Sequence, residues 1–207
     1  MTKASNKYSA NDPAFDAKYG VLKNKLGLTD EKALFQAERL ALIAAYDKAA
    51  MGYSETHRFT VDDVCRLHKM FLGDIFDWAG MYRSIDILSP GIRWCHAKFI
   101  DQEMDKFGKR LQELTPFSPD WSREDLILRL AEIHGELIVI HPFRDGNGRT
   151  TRLLCDLLLM QAGLPSISPE VYDDEETQAR YFAAIRDVWG KADCKKLIQL
   201  FEQLVAV

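Results

Sequence analysis

The chain has 207 residues, of which 47% are hydrophobic and 28% are charged, and its formal net charge is -4. This length and composition are typical of one globular domain with a sizeable core. The negative charge argues against broad nucleic-acid binding, which needs a basic surface to neutralise phosphates, so we expect no nucleic-acid partner.

No stretch of the sequence is typical of a membrane span or an export signal. Residues 1–7 lack an apolar core, and no run of about 18 apolar residues occurs. We therefore expect a cytoplasmic protein without membrane association. The cysteines form no CxxC pair and predict reduced thiols, not a disulfide framework or a zinc site; they are Cys65, Cys95, Cys155 and Cys194.

The first half of the chain predicts two helices after an irregular N-terminal segment, residues 1–28. The first helix is predicted from a Thr29 cap to about Ala50. Its predicted apolar face consists of Leu34, Ala37, Leu40, Ala41, Ile43 and Ala44. Thr60-Val61-Asp62-Asp63 has the pattern of a capping box and predicts the start of the second helix.

The only predicted hairpin lies at about residues 85–95. Ile85-Asp86-Ile87 alternates in polarity, Ser89-Pro90-Gly91 is a turn sequence, and Ile92-Arg93-Trp94 can return as a second strand. A helix from His96 to about Leu114 is predicted next.

The second half is helical throughout. Ser122 and Asp125 predict a cap for a helix that ends in an apolar turn at Ile140, which places this helix at the centre of the domain. Further helices are predicted from Gly146 or Asn147 to Gly163, after the signals Ser168-Pro169-Glu170 and Asp173-Asp174-Glu175-Glu176, and after Asp193. The predicted fold is all-α, with a single compact helical domain over residues 29–207.

Between the two central helices lies His141-Pro142-Phe143-Arg144-Asp145-Gly146-Asn147-Gly148-Arg149-Thr150-Thr151-Arg152. A helix N-terminus exposes unpaired N–H groups, and glycines there let an anion approach the backbone. Gly146, Asn147 and Gly148 are positioned for this, and the two arginines that follow can form forked hydrogen bonds to phosphate.

The same stretch contains a carboxylate and an imidazole. Asp145 can share a Mg²⁺ with substrate phosphates, and His141 can accept a proton near neutral pH. This combination predicts transfer of a phosphate-containing group to a hydroxyl.

Residues 141–152 match the Fic-family signature His-x-Phe-x-Asp/Glu-Gly-Asn-Gly-Arg-x-x-Arg at every fixed position. The segment from Asp74 to Gly80, Arg83 and the predicted hairpin also resemble the region leading into the family's flap. The similarity extends over roughly residues 10–200. The chain thus resembles a Fic-type protein adenylyltransferase, whose domain is helical with a small β-hairpin flap.

The resemblance implies transfer of AMP from ATP to a Ser, Thr or Tyr hydroxyl of a target protein, with release of pyrophosphate. His141 would deprotonate the hydroxyl, and Asp145 would hold Mg²⁺ against the phosphates. Gly146, Asn147 and Gly148 would cradle the phosphates.

The remaining motif residues also have implied roles. Arg149 would bind phosphate and brace the loop, Arg152 would reach the γ-phosphate, and Phe143 would anchor the loop in the core. The flap would pair with the target peptide strand to strand, with Ile87, Ile92 and Trp94 beside it.

Many relatives carry an inhibitory helix with the pattern Ser/Thr-x-x-x-Glu-Gly/Asn, whose glutamate pairs with the second motif arginine. Here only Ser166 has a glutamate four positions on, Glu170, and Val171 breaks the pattern. We therefore expect a toxin that is inhibited by a separate small antitoxin supplying a glutamate to Arg152. A constitutively active enzyme is the alternative.

Three other functions are compatible with the sequence. The same site could transfer a phosphoryl, UMP or phosphocholine group. His134, Glu136 and His141 could suggest a metal hydrolase, although His134 lies among apolar residues typical of a core position. A non-catalytic interaction module is the third alternative.

Overall fold

The computed structural model describes residues 12–89, 91–167, 171–172 and 174–205. Over these residues the α-helices are α1 (Glu31–Gly52), α2 (Val61–Leu72), α3 (Ile100–Leu114), α4 (Arg123–Ile140), α5 (Asn147–Gln161), α6 (Glu175–Lys191) and α7 (Lys195–Leu204). Two antiparallel hairpins pair β1 (Phe15–Asp16) with β2 (Val21–Leu22) and β3 (Leu88–Ser89) with β4 (Ile92–Arg93). The predicted all-α class with a small hairpin is confirmed. No helix in the described ranges has the length and apolar character to cross a membrane.

Helices α4 and α5 form the centre of the domain. Helix α4 contacts α3, α5, α6 and α7, and α5 also contacts α1 and α2. Side chains such as Leu130, Leu153 and Leu158 are fully buried between them. The motif begins in the loop that joins α4 to α5 and continues into the first turns of α5. Two core helices therefore hold the motif in place.

Helix starts follow the local sequence signals. Thr60 and Asp63 form the predicted capping box, and the Ser122 hydroxyl accepts a hydrogen bond from the Asp125 backbone N–H. The first helix starts one residue later than predicted, because the Asp30 carboxylate, not Thr29, accepts the Ala33 N–H.

The buried face of α1 differs from the prediction. Leu40 and Ile43 are 68% and 56% exposed, whereas Leu34, Glu38 and Ala45 are buried. Helix α1 has apolar residues on nearly all sides, so periodicity alone could not select the face. The structure selects the face that packs on α2 and α5 and contains the buried Glu38.

The N-terminal segment, predicted to be irregular, contains the β1–β2 hairpin within its described part, and Val21 and Leu22 are buried in the core. Asp12 forms a buried ion pair with Arg144 of the motif. The segment therefore packs on the motif loop. Residues 1–11 and the helix signal at 168–170 lie outside the described residues, and the division into residues 1–28 and 29–207 stays a prediction.

The flap hairpin is present, with its first strand shifted from the predicted position. The β3–β4 ladder pairs Leu88 with Arg93 and Ser89 with Ile92, whereas the sequence predicted a strand over residues 85–87. Residues 85 and 86 make other bonds: the Ile85 carbonyl accepts from Arg83, and the Asp86 carboxylate accepts from the Ala97 N–H. The ladder therefore begins only at Leu88. Pro90 of the predicted turn lies outside the described residues.

Candidate active site

The motif loop begins at His141, where the chain leaves α4 in a left-handed conformation. His141 has φ 53° and ψ 57°, and its N–H donates to the Leu137 carbonyl. A non-glycine residue in this region is uncommon and costs about 1–2 kcal/mol. The structure holds His141 there by contacts to its backbone and its ring.

The imidazole of His141 is fixed in one tautomer. Its Nδ1 lies 3.0 Å from the Ile138 carbonyl oxygen, which can only accept a hydrogen bond. Nδ1 therefore carries a proton, and in the neutral ring Nε2 carries the lone pair. The indole of Trp94 stacks on the imidazole, with ring centroids 3.9 Å apart and ring planes 9° apart. This is the protonation state that a proton-accepting histidine needs.

Gly146 lies at the start of α5, at a point where a side chain could not be placed. Its φ is +77°, and a Cβ atom there would lie 2.8 Å from the Leu72 side chain. Helix α2 therefore approaches the motif backbone closely. Glycine is required here both by its conformation and by this contact.

Asp145 precedes this helix start. Its Oδ1 accepts the Gly146 N–H at 2.6 Å and lies 3.6 Å from Arg149 Nη2. No group of three or more His, Cys, Asp or Glu side chains close enough to hold a metal is found in the described part of the chain. A single carboxylate beside a helix N-terminus fits a Mg²⁺ that is shared with substrate phosphates and would not hold one alone.

Asn147 braces the loop with its side chain. Its Oδ1 accepts the Phe143 N–H at 2.7 Å, and its Nδ2 donates to the Phe143 carbonyl at 2.8 Å. The residue is buried, so any phosphate contact at this position would come from its backbone N–H. Phe143 is 1% exposed, in the buried position that the sequence predicted.

The two motif arginines point to different partners. Arg149 pairs with Glu38 of α1 at 2.5 Å and lies over the Phe71 ring, 4.8 Å from its centroid. Arg152 lies 4.7 Å from the centroid of Tyr172 and 5.9 Å from that of Tyr181. Each arginine thus contacts an aromatic face, and Arg149 is also paired with a carboxylate.

Asp156, which shares the arginine side of α5, is buried. It accepts hydrogen bonds from the Tyr46 hydroxyl at 2.7 Å and from the Ile167 N–H at 2.9 Å. Burial raises its pKa to about 6, against the hydrogen bonds and the nearby Arg152 charge, which lower it. Asp156 therefore links α1 and the segment after α5 to the helix that contains the arginines.

His68 of α2 supports the motif loop and was not identified from the sequence. Its Nδ1 accepts the Gly80 N–H at 2.8 Å, so Nε2 carries the proton and donates to the Asp145 carbonyl at 3.0 Å. Its ring stacks on Phe143 at 3.8 Å, with 6° between the planes. Burial lowers its pKa to about 4, so it is neutral at physiological pH. The sequence signal that could have identified His68 is a histidine on the apolar face of α2.

Arg83 ties the flap to the motif loop. Its guanidinium donates to the carbonyls of His141 at 2.8 Å, Ile85 at 2.7 Å and Cys95 at 2.5 Å. Its backbone N–H donates to the Pro142 carbonyl. One buried side chain therefore joins both ends of the flap to the residue that carries the imidazole.

The flap and the motif loop line one small depression. Its lining residues are Ile87, Leu88, Ser89, Trp94, His141, Arg144 and Asp145. Ile92, on the second strand of the flap, is buried and does not line this depression. The predicted base, the predicted metal carboxylate and two of the three predicted flap residues are thus neighbours. Their roles stay predictions.

His134 lies in the core and not at a metal site. It is fully buried, its Nε2 lies 3.3 Å from the Tyr181 hydroxyl, and its ring packs edge-on against Tyr181 and Phe201. Burial lowers its pKa to about 3. The geometry gives no support to a hydrolase built on His134 and His141.

Comparison with protein families gives a match to the Fic/DOC family over residues 58–159. The chain is 32% identical to "Probable protein adenylyltransferase Fic" of Salmonella typhimurium over 156 residues, 73% of this chain and 74% of that protein. It is 30% identical to "Protein adenylyltransferase VbhT" of Bartonella schoenbuchensis over 89% of this chain and 37% of that longer protein.

Solved structures share the fold. BepC of Bartonella tribocorum, crystallised with AMPPNP, matches with a TM-score of 0.78 at 19% identity, over 93% of this chain and 96% of that one. The N-terminal Fic domain of a Bep effector from Bartonella sp. AR 15-3 matches with a TM-score of 0.79 at 25% identity, over 93% and 90%.

Proposed function

Because this chain belongs to the Fic/DOC family, whose matched relatives are named protein adenylyltransferases, we propose that it transfers AMP from ATP to a side-chain hydroxyl of a target protein. The enzyme class is a nucleotidyltransferase. The hydroxyl belongs to a serine, threonine or tyrosine, and pyrophosphate is the second product.

The observation that carries the proposal is the shared depression lined by His141, Asp145 and the flap. A hydroxyl brought there by a peptide beside the flap would meet an imidazole whose Nδ1–H already donates to the Ile138 carbonyl. The Nε2 lone pair is then the acceptor for the hydroxyl proton.

The transfer step is a displacement at the α-phosphorus of ATP. As Nε2 of His141 takes the proton, the target oxygen forms a bond to the α-phosphorus, and the bond from that phosphorus to the bridging oxygen breaks. Its electron pair leaves with pyrophosphate. The backbone N–H groups at the start of α5 and the cations of Arg149 and Arg152 would stabilise the added negative charge.

We propose that Mg²⁺ binds together with ATP. Asp145 would hold it, and it would supply charge neutralisation for the phosphates. The position of its carboxylate beside the helix start supports this assignment.

The test is to incubate purified protein with Mg²⁺, a cell lysate and ATP labelled at either the α- or the γ-phosphate. We expect label on a target protein from α-labelled ATP only, with the mass of AMP on the modified residue. Label from γ-labelled ATP would indicate phosphoryl transfer, and the added mass would distinguish UMP or phosphocholine when those donors are supplied.

The matched variants are His141→Ala and Arg152→Ala. His141→Ala should abolish labelling while AMPPNP still binds, because the imidazole acts on the incoming hydroxyl. Arg152→Ala should weaken nucleotide binding, since charge-assisted contacts to phosphate are strong. Loss of AMPPNP binding in His141→Ala, or wild-type affinity and rate in Arg152→Ala, would contradict these roles.

We also propose that the protein is the toxin of a toxin–antitoxin pair, controlled by a small protein that supplies a glutamate to Arg152. In the described part of the chain, no carboxylate forms an ion pair with Arg152, whose cation lies over Tyr172. Glu170 of the incomplete inhibitory pattern lies outside the described residues. The cytoplasmic location stays a prediction from the sequence.

The regulatory proposal has a cellular test. Overexpression should arrest growth in a manner that requires His141, and co-expression of the neighbouring small gene product should relieve the arrest. Harmless overexpression of protein that is active in the labelling assay would count against a toxin.

A further inference from the structure

We propose that Trp94 is a positioning residue for His141, and not a residue that docks the target. The inference rests on the proposed function, in which His141 is the base. In this role the indole holds the imidazole plane so that Nδ1 stays bonded to Ile138 and Nε2 stays directed at the incoming hydroxyl.

Trp94 is more buried than a flap side chain that binds a target should be. A side chain that grips a target peptide should be exposed before the target binds, but Trp94 is only 8% exposed. Leu88, on the preceding strand, is 58% exposed and lines the same depression. Leu88 is therefore the more exposed apolar flap side chain that a target would meet, with the partly exposed Ile87 beside it.

The stacking geometry gives Trp94 its role. The indole and imidazole planes are parallel to within 9°, and their centroids are 3.9 Å apart. Parallel contact at this distance allows the imidazole to slide but resists its tilting out of plane. The bond from Nδ1 to the Ile138 carbonyl resists rotation within the plane. Together the two contacts fix the direction of Nε2.

One hydrogen bond holds the indole, and two more hold the backbone on either side of Trp94. Its Nε1 donates to the Ser89 hydroxyl at 3.0 Å. The Arg93 carbonyl before it accepts from Trp189 of α6 at 2.7 Å, and the Cys95 carbonyl after it accepts from Arg83. The same Arg83 guanidinium donates to the His141 carbonyl, so one side chain links the backbone next to Trp94 to the backbone of His141.

The left-handed backbone of His141 makes such support necessary. At φ 53° the backbone of this residue is in a region that a non-glycine residue keeps only when surrounding contacts hold it there. Removing the indole would remove the stacking contact that holds the plane of the ring. We expect the imidazole then to sample other orientations and the Nε2-protonated tautomer.

The test compares Trp94→Ala, Trp94→Phe and Leu88→Ala by NMR of the histidine rings and by AMP transfer. In the wild type, the His141 ring protons should be shifted upfield by the indole ring current, and the nitrogen signals should report protonated Nδ1. Trp94→Ala should lose both signatures, and its transfer rate at saturating ATP should fall about tenfold or more. Its AMPPNP affinity should stay within about twofold of the wild type.

Trp94→Phe keeps a stacking ring and removes the bond to Ser89, so it should restore the tautomer and most of the rate. Leu88→Ala should leave the His141 signals unchanged and raise the amount of lysate acceptor needed for half-maximal labelling. Wild-type His141 signals in Trp94→Ala would overturn the inference, as would a defect in Trp94→Ala that excess acceptor fully corrects. Absence of transfer in the wild type would instead refute the proposed function, because NMR detects the ring contact without it.

Discussion

His68 offers the sharpest test of how the loop is supported. His68→Phe preserves an aromatic ring of similar size against Phe143 but removes both hydrogen bonds of the imidazole. The Gly80 N–H and the Asp145 carbonyl would then lose these two hydrogen bonds. Each unsatisfied group costs about 1–3 kcal/mol, and because both are only partly buried we expect a loss of about 2–4 kcal/mol of unfolding free energy.

The same substitution should change how stability depends on pH. The native pKa of His68 is about 4 because the ring is buried, whereas its value in the unfolded chain is near 6.5. Between these values the unfolded chain binds a proton that the native protein does not, so stability falls as pH falls from 6.5 to 4. At pH 5 the contribution is about 2 kcal/mol, from about 1.5 pKa units at 1.36 kcal/mol each.

Urea unfolding of wild type and His68→Phe at pH 7.5 and pH 5 measures both effects. The two proteins should differ less at pH 5 than at pH 7.5, because the variant lacks this titration. Asp156, with a native pKa of about 6, titrates in both proteins and cancels in the comparison. An equal difference at both pH values would refute the assigned burial and tautomer of His68.

Activity distinguishes loop support from general stability. His68→Phe should transfer AMP more slowly per folded molecule, because the Asp145 backbone loses its anchor. His134→Phe is the control, since His134 is equally buried and also has a lowered pKa, but its hydrogen bond and ring contacts are to Tyr181 and Phe201 and not to Asp145. A similar rate loss in both variants would mean that burial alone, and not the Asp145 contact, is being measured.

Two further substitutions test the start of α5. Glu38→Gln removes the charge that pairs with Arg149, so we expect the KM for ATP to rise severalfold and stability to fall by about 1–3 kcal/mol; a faster enzyme would show that Glu38 restrains Arg149 instead of positioning it. Gly146→Ala should lower the melting temperature and activity, because it adds about 1–2 kcal/mol of left-handed strain and a Cβ 2.8 Å from Leu72. Gly163→Ala, at φ +73° with open space around it, carries the same strain without the contact, and equal losses in the two alanine variants would contradict a role for close packing at Gly146.

Features that depend on near neighbours along the chain could be predicted from the amino-acid sequence. The caps at Thr60 and Ser122 are bonds between residues three apart, so their patterns predicted the helix starts. The motif from His141 to Arg152 is also contiguous, which is why the candidate site and its family could be inferred before the fold was known.

The residues that support this motif from distant positions in the chain are set by the packing of the helices. Glu38 is 111 positions from Arg149, and His68 is 77 positions from Asp145. No local pattern encodes such pairs, because they depend on how α1 and α2 pack against α5. For the same reason the sequence could not choose the buried face of α1, where apolar side chains occur on almost every side.

The position of the Trp94 side chain was likewise decided by packing. Alternation in the flap predicted a strand residue beside the target, but strand β4 ends at Arg93, and alternation does not determine which face of the flap meets the core. That choice depends on Arg83, Ser89 and Trp189, which hold the flap against α6 and the motif loop. The contiguous motif thus supplies the reacting groups, and long-range contacts determine their orientation.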